Sequence, residues 1–365
     1  MTHRVDAWGE ATSLADRKRR AGQRLVVGWP ARGVDDDLRR LCAEIRPAGF
    51  VLFARNLEEP AQIRELTREL ASLAQPHDPA LVCVDQEGGR VQRVRETVWP
   101  PAQQVARAEL TADVSRAMAR ELRALGIHLN LAPVADLGVD GGAAGVGDRA
   151  FGDDPAEVAR HVEAWVRAHQ AEGVIATAKH FPGLGHAGAD PHRALPEVPL
   201  ELPDLRGLAL PPFAAAVRAG VGVVMSGHVV CPALDEERPA TLSPRVIPAL
   251  LREELGYDGV VMSDDLEMGA MSRFALAEQV RGATEASVDL LLVTDPAELQ
   301  AAAFRELVLA QEEDPMQERR AIDAVARIDA LRVRFLGRPR PPVGLEAVGS
   351  LDHKVLAEQA RARGR

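Results

Sequence analysis

The segment Lys179-His180-Phe181-Pro182-Gly183, followed by Asp190-Pro191-His192, places a cation, three imidazoles (His180, His186, His192) and a carboxylate within fourteen positions, directly after the apolar run Gly173–Ala178. Titratable groups at that density can bind a polar substrate and move protons. Further polar clusters end other apolar runs: Asp85-Gln86-Glu87-Gly88-Gly89-Arg90-Val91-Gln92-Arg93, Gly147-Asp148-Arg149-Ala150-Phe151, Ser226-Gly227-His228, Ser263-Asp264-Asp265 and Asp295. A carboxylate nucleophile on one strand end and a proton donor on a neighbouring loop are the minimum for double displacement at an acetal.

Each cluster also has a plainer reading. His228 alone reads as a satisfied histidine, Asp264 and Asp265 as a helix cap, and Gly147-Asp148-Arg149 as a turn with an ion pair. Their convergence on one end of successive strands favours the chemical reading. Adjacent Asp264 and Asp265 point to opposite sides of a strand, so one enters the cleft while the other caps or pairs; the sequence leaves open which. His180, His186 and His192 could together ligate a metal. Lys179 beside them would repel a dication, and glycines 183, 185 and 188 suit a moving acid better than a rigid cage, so no metal is expected.

The elements that must position these groups are legible in the apolar pattern. Strands are expected at Leu25–Gly28, Gly49–Phe53, Leu81–Asp85, Leu129–Pro133, Val174–Lys179, Val221–Ser226, Gly259–Ser263 and Leu290–Thr294. Most are continuous apolar runs, which indicates burial on both faces in a parallel sheet. Helical periods lie between them, including Pro60–Ala74, Asp154–Glu172 with Pro155 in its first turn, Ser272–Ser287 and Pro296–Gln311. Eight strands alternating with helices make an α/β, single-domain (β/α)8 TIM barrel over residues 25–336, whose reacting groups belong at the carboxyl ends of the strands. A doubly wound sheet is disfavoured because no GxGxxG follows the first strand. Residues 1–24 form an N-terminal extension, an extra helix or loose arm. Residues 337–365 are a Pro/Gly-rich linker and a tail, helical from Leu351 or frayed.

With 365 residues, 46% hydrophobic and 27% charged, the chain can bury one large core. A net charge of −10 argues against nucleic acid and anionic membrane as partners. Cys42, Cys83 and Cys231 are odd in number and lack CxxC spacing, which fits a reducing compartment. No signal peptide and no membrane span are expected, and the compartment implied is the cytoplasm. Low aromatic content suits a short substrate held by hydrogen bonds rather than a long polysaccharide groove.

Together the motifs resemble glycoside hydrolase family 3, most closely its single-domain β-N-acetylhexosaminidases of the NagZ type. The matching stretches are Val51-Leu52-Phe53-Ala54-Arg55-Asn56, Val84 to Arg93, Gly147 to Phe151, Lys179 to Gly183, Asp190-x-His192-x-x-Leu195-Pro196 and Ser263-Asp264-Asp265-Leu266-x-Met268. The resemblance implies a retaining mechanism with Asp264 as nucleophile and His192, paired with Asp190, as acid/base. Asp85, Arg93, Arg149, Lys179 and His180 match sugar-binding positions, and His228 is expected to join them. It implies terminal β-linked N-acetylglucosamine as substrate, in bacteria typically on anhydro-muropeptides during cell-wall recycling, with no cofactor or metal. Lys179 or Arg149 near Asp264 would favour its ionised form. Two departures stand out: Leu184 and His186 lie in a loop that usually reads Gly-His-Gly-Asp, and Pro191 replaces a serine, so the Asp190–His192 contact is expected to survive with altered geometry. Phosphorolysis, β-glucosidase activity and a non-catalytic sugar-binding protein are the alternatives.

Overall fold

Eight apolar runs form eight parallel strands that close on themselves in a computed structural model of the chain, which describes residues 12–74, 78–139, 145–338 and 340–365. The strands are β1 Leu25–Val27, β2 Gly49–Leu52, β3 Leu81–Val84, β4 Leu129–Asn130, β5 Ile175–Phe181, β6 Val223–Ser226, β7 Val260–Asp265 and β8 Leu290–Val293. Each pairs with its neighbours in chain order, and β1 pairs with both β2 and β8. The expected α/β barrel is therefore the fold, with all eight strands where the apolar runs lie. Strand ends differ by a few residues; beyond the short β4 the chain stays hydrogen-bonded to its neighbours, with Leu131 N donating to Val84 O at 2.8 Å and Ala132 O accepting from Thr177 N at 2.8 Å.

Alternation within each run divides the core into two layers. Val26, Val51, Cys83, Leu129, Ile175, Met225, Met262 and Leu292 fill the barrel interior. Ile328, Leu331 and Phe335, from the helix Pro315–Phe335, pack into the same interior cluster. The opposite strand faces, such as Leu25, Val27, Phe50 and Leu52, pack outward against the helices. The helices start where their caps predict. Asp35 accepts a hydrogen bond from Leu38 N at 2.8 Å to begin Asp36–Ile45, and Asp154 accepts from Ala156 N and Glu157 N to begin Pro155–Ala171. The helix after β7 begins at Leu276, later than the periodicity suggests, because Gly269–Met271 is a short 3-10 turn packed at the site.

Both chain ends are tied down where described. Ser13 and Asp16 form a capping box for the helix Leu14–Gly22, which packs on Ala297–Glu313. The expected arm over residues 1–11 lies outside the described residues. The C-terminal helix Leu351–Arg363 is docked, not frayed: His353 Nδ1 lies 2.8 Å from Oε1 of Glu121, a buried carboxylate that also accepts from Thr97 Oγ1 and Gly349 N. Cys42, Cys83 and Cys231 are buried free thiols, and burial pushes Cys42 and Cys231 up to about 12. Among the described residues no helix is long and apolar enough to cross a membrane.

Strand packing is tightest at Gly49, where a Cβ would lie 2.3 Å from the Leu81 carbonyl oxygen of the adjacent strand. Gly49→Val forces β2 and β3 apart, and urea titration is expected to show a loss of about 1–3 kcal/mol, as for other overpacked cores.

Candidate active site

Beyond Val84 the chain turns into a hairpin, Gln86–Gly88 against Val91–Gln92, held by buried amides. Gln86 Oε1 accepts from Arg93 N and Val94 N at 2.9 and 3.0 Å, and Asn130 Nδ2 donates to Gln86 O at 2.9 Å. Gly88 has φ +98, and a Cβ there would meet Pro100 O at 2.4 Å, so only glycine fits the turn. This hairpin presents Asp85, Glu87 and Arg93 to one cavity.

An alternating chain of charge runs across the cavity wall. Arg149 forks onto Glu87 with two 2.8 Å hydrogen bonds. Lys179 Nζ, on β5, lies 2.7 Å from Glu87 Oε1 and 2.9 Å from Asp85 Oδ1, and Arg93 reaches Asp85 Oδ2 at 3.3 Å. Burial alone would raise both carboxyls. Lys179 and Arg149 outweigh it at Glu87, which falls to about 2, while Lys179 and Arg93 hold Asp85 below the usual carboxylate range. Burial likewise opposes the Lys179 ammonium, but Asp85 and Glu87 carry it above its ordinary value. Three cations face two carboxylates in this network.

A register shift between Ala178 and Phe181 interrupts the β5–β6 pairing, and Lys179 and His180, joined by a cis peptide, both line the cavity. His180 Nδ1 is 2.7 Å from Asp136 Oδ2, and His180 Nε2 is 4.0 Å from Asp264 Oδ2. Asp264, at the end of β7, is partly buried on the cavity wall, and its Oδ1 accepts from Asp265 N at 2.9 Å. Asp265 takes the capping role: its carboxylate accepts from Glu267 N at 3.2 Å and from Thr294 Oγ1 at 2.5 Å. Glu267 shares that hydroxyl at 3.1 Å and accepts from Asp295 N at 3.1 Å. Burial, with Asp265 and Asp295 close by, pushes Glu267 up to about 7.

The loop after β5 carries His192 onto the same cavity. Its imidazole is exposed, and His192 Nδ1 lies 2.9 Å from Asp190 Oδ1, which also accepts His192 N at 3.0 Å. These hydrogen bonds from His192 hold Asp190 below the usual carboxylate range although burial acts the other way. Pro191 does not break the pair, because its fixed backbone sits inside the tight turn closed by Arg193 N and Ala194 N on Asp190 O. The loop docks on the segment after β7: Ala270 N donates to Pro191 O at 3.0 Å, and a Cβ at Gly269 would collide with His192 O at 2.7 Å. Leu184 lies buried on the cavity wall, and its N–H donates to Asp136 Oδ1 at 2.7 Å.

The cavity, about 340 Å³, brings together Asp85, Arg93, Arg149, Lys179, His180, His192 and Asp264 from five strand ends and loops. That volume holds one sugar ring with part of a leaving group. The described chain matches the glycosyl hydrolase family 3 N-terminal domain over residues 22–331. The chain belongs to glycoside hydrolase family 3. The β-hexosaminidase of Alkalilimnicola ehrlichii is 38% identical over 313 residues, 82% of this chain and 87% of that protein. A solved family 3 β-N-acetylglucosaminidase from Paenibacillus sp. str. FPU-7 superposes with a TM-score of 0.90 at 40% identity, over 97% of this chain and 69% of that one. NagZ of Neisseria gonorrhoeae in complex with N-trifluoroacetyl-D-glucosamine gives a TM-score of 0.76 at 28% identity, over 94% and 98% of the two chains. The protein is a glycoside hydrolase.

Within this family 3 site two expectations need correction. His228 is fully buried and does not line the cavity; its ring nitrogens are taken by Thr241 Oγ1 and Asp265 O, each at 2.9 Å. It braces the end of β7 instead of meeting a sugar, and burial lowers its basicity. Lys179 and Arg149 pair with Glu87 and Asp85, and the group in ion-pair range of Asp264 is His180. Two residues escaped the sequence reading. Glu87 was findable, since positions 85 and 87 share a face of an extended segment. Asp136 announces itself only as a lone acid just past the apolar run of β4. As for metals, the one set of three side chains among the described residues with ligand atoms in mutual reach is Glu109, Glu157 and His161, and Arg160 already pairs with both glutamates.

Lys179→Met leaves Asp85 and Glu87 buried without their shared cation, and chemical denaturation at pH 7 is expected to show a loss of about 3–5 kcal/mol. The wild-type contribution of the depressed Glu87 carboxyl is present above pH 4.5 and disappears as pH falls toward about 2, so the gap between the two proteins should narrow in acid. For Glu267 the sign reverses. Its folded value, raised from 4.5 to about 7, means stability is full below pH 4.5 and declines as pH rises to about 7. Glu267→Gln is expected to flatten that decline in melting temperatures taken between pH 4.5 and 8.

Proposed function

We propose that the protein is a retaining exo-β-N-acetylglucosaminidase that removes terminal β-linked N-acetylglucosamine, with anhydro-muropeptides of peptidoglycan recycling as the natural substrates. The observation that carries this reading is the pairing of an Asp264 carboxylate with an Asp190-held His192 on the walls of a single cavity. The β-hexosaminidase names of its relatives support the acetamido sugar. Reduced buried thiols support a cytoplasmic setting.

In the first step an Asp264 oxygen attacks C1 of the sugar. The bond from C1 to the glycosidic oxygen breaks, and the leaving oxygen takes the proton from His192 Nε2, the nitrogen left free by Asp190. In the second step His192 removes a proton from water, whose oxygen attacks C1 and displaces Asp264. An imidazole can both donate and take up a proton, so one residue serves both steps. A neutral base also avoids the repulsion that a second carboxylate would suffer beside an anionic nucleophile. Asp85, Arg93, Arg149, Lys179 and His180 would grip the sugar hydroxyls and the acetamido group through their remaining donors and acceptors.

Asp264→Ala is expected to lower kcat on p-nitrophenyl N-acetyl-β-D-glucosaminide by at least about 10⁴-fold, and turnover within tenfold of wild type would refute the nucleophile. His192→Ala should be harmed far more with a natural disaccharide than with the good p-nitrophenolate leaving group, because only the former needs the proton.

A further inference from the structure

The buried carboxylate of Asp136 has no assigned part in the chemistry above, yet it touches a group that faces the nucleophile. We propose that Asp136 is a positioning residue for hydrolysis, holding His180 as the Nδ1–H tautomer so that Nε2 presents a lone pair toward Asp264 and the bound sugar. This rests on the glycosidase reading of the same site.

The geometry leaves Asp136 little freedom. Its side chain is fully buried and receives Leu184 N on Oδ1 at 2.7 Å, while His180 N lies 3.2 Å from both oxygens. The Leu184 N–H therefore fixes the rotation of the carboxylate, and Oδ2 is left for His180 Nδ1 at 2.7 Å. A carboxylate that already accepts backbone N–H groups is an acceptor, so the hydrogen between them belongs on Nδ1. In the tautomer with its hydrogen on Nδ1, His180 carries an unprotonated Nε2, 4.0 Å from Asp264 Oδ2. Two acceptors at that separation leave room for a hydroxyl or amide hydrogen of the substrate to be received, and Nε2 makes no competing hydrogen bond to the nucleophile. The groups that face the ring are Asp136 from the segment after β4, Asp264 from β7 and His228 from β6, with Arg149 beyond Asp136.

The loop also depends on this anchor. Leu184 stands at the root of the segment that carries His192, and Gly185 beside it packs so closely that a Cβ would lie 2.3 Å from Leu137 O. The same short stretch after β4, residues 136 and 137, therefore holds both the ring of His180 and the start of the catalytic loop.

The test is Asp136→Asn, which keeps the shape but offers an amide. The Leu184 N–H claims the amide oxygen, so the NH2 group meets His180 Nδ1 and forces the hydrogen onto Nε2. Expected is a fall in kcat of about 10²–10³-fold with KM within threefold, less than the roughly 10⁴-fold lost when the histidine forced into the wrong tautomer is itself the general base. Nitrogen-15 NMR of the histidine-labelled protein should show the His180 hydrogen on Nδ1 in wild type and on Nε2 in the variant. Adding Asp136→Asn to His180→Gln should reduce kcat by less than threefold further. Wild-type kcat in Asp136→Asn, additive losses in the double variant, or a wild-type His180 protonated on Nε2 alone would each overturn the proposal. The wild-type spectrum decides even if the variant does not fold. Because it needs no substrate, it also separates failure of this inference from failure of the glycosidase mechanism, which the Asp264→Ala kinetics address.

Discussion

The burial of Lys179 between Asp85 and Glu87 is the constraint on which the site depends. An ammonium shielded from water is tolerable only when partners sit at hydrogen-bond distance, and here two carboxylates do so at 2.9 and 2.7 Å. Those carboxylates in turn need Arg93 and Arg149. The loops after β3, β4 and β5 are thereby locked to one another by charge pairs that cannot be broken singly without stranding a buried ion. A rigid cavity wall follows from this network, and it is built on the barrel's strand ends, where the backbone has little freedom.

Beside that wall the Asp190–His192 pair is arranged differently. His192 is exposed, on a loop anchored by the turn at Asp190, the docking of Pro191 O on Ala270 N and the close approach at Gly269. On the reading proposed above, the proton donor sits on such a loop and the nucleophile stays fixed. Asp264 does so at the end of β7, with its neighbour Asp265 braced by Thr294, Glu267 N and the carbonyl contact from His228. On that reading the division between nucleophile and acid is a division between strand end and loop.

The two departures from the family pattern fit this scheme. Leu184, where a histidine is usual, contributes its backbone N–H rather than its side chain to Asp136 and lends an apolar patch to the cavity wall. Pro191 stiffens the turn that joins Asp190 to His192 without removing a needed donor, since the residue at its position uses its carbonyl.

Sequence alone determined the eight strands, their order and the end of the barrel at which chemistry would occur, because continuous apolar runs flanked by helical periods admit few other arrangements. It also singled out the Asp264/Asp265 pair and the Asp190–His192 pair, whose partners are near in the chain. Only the tertiary structure decided that Asp264 and Asp265 both line the cavity with Asp265 tied to Thr294 and Glu267 N, that Lys179 and Arg149 serve Glu87 and Asp85 rather than Asp264, and that His228 is walled in behind β7. Each of those outcomes is a contest between groups far apart in sequence, and burial settles it: a charge removed from water takes the partner that three-dimensional packing brings to within about 3 Å, whatever residue stands beside it in the chain.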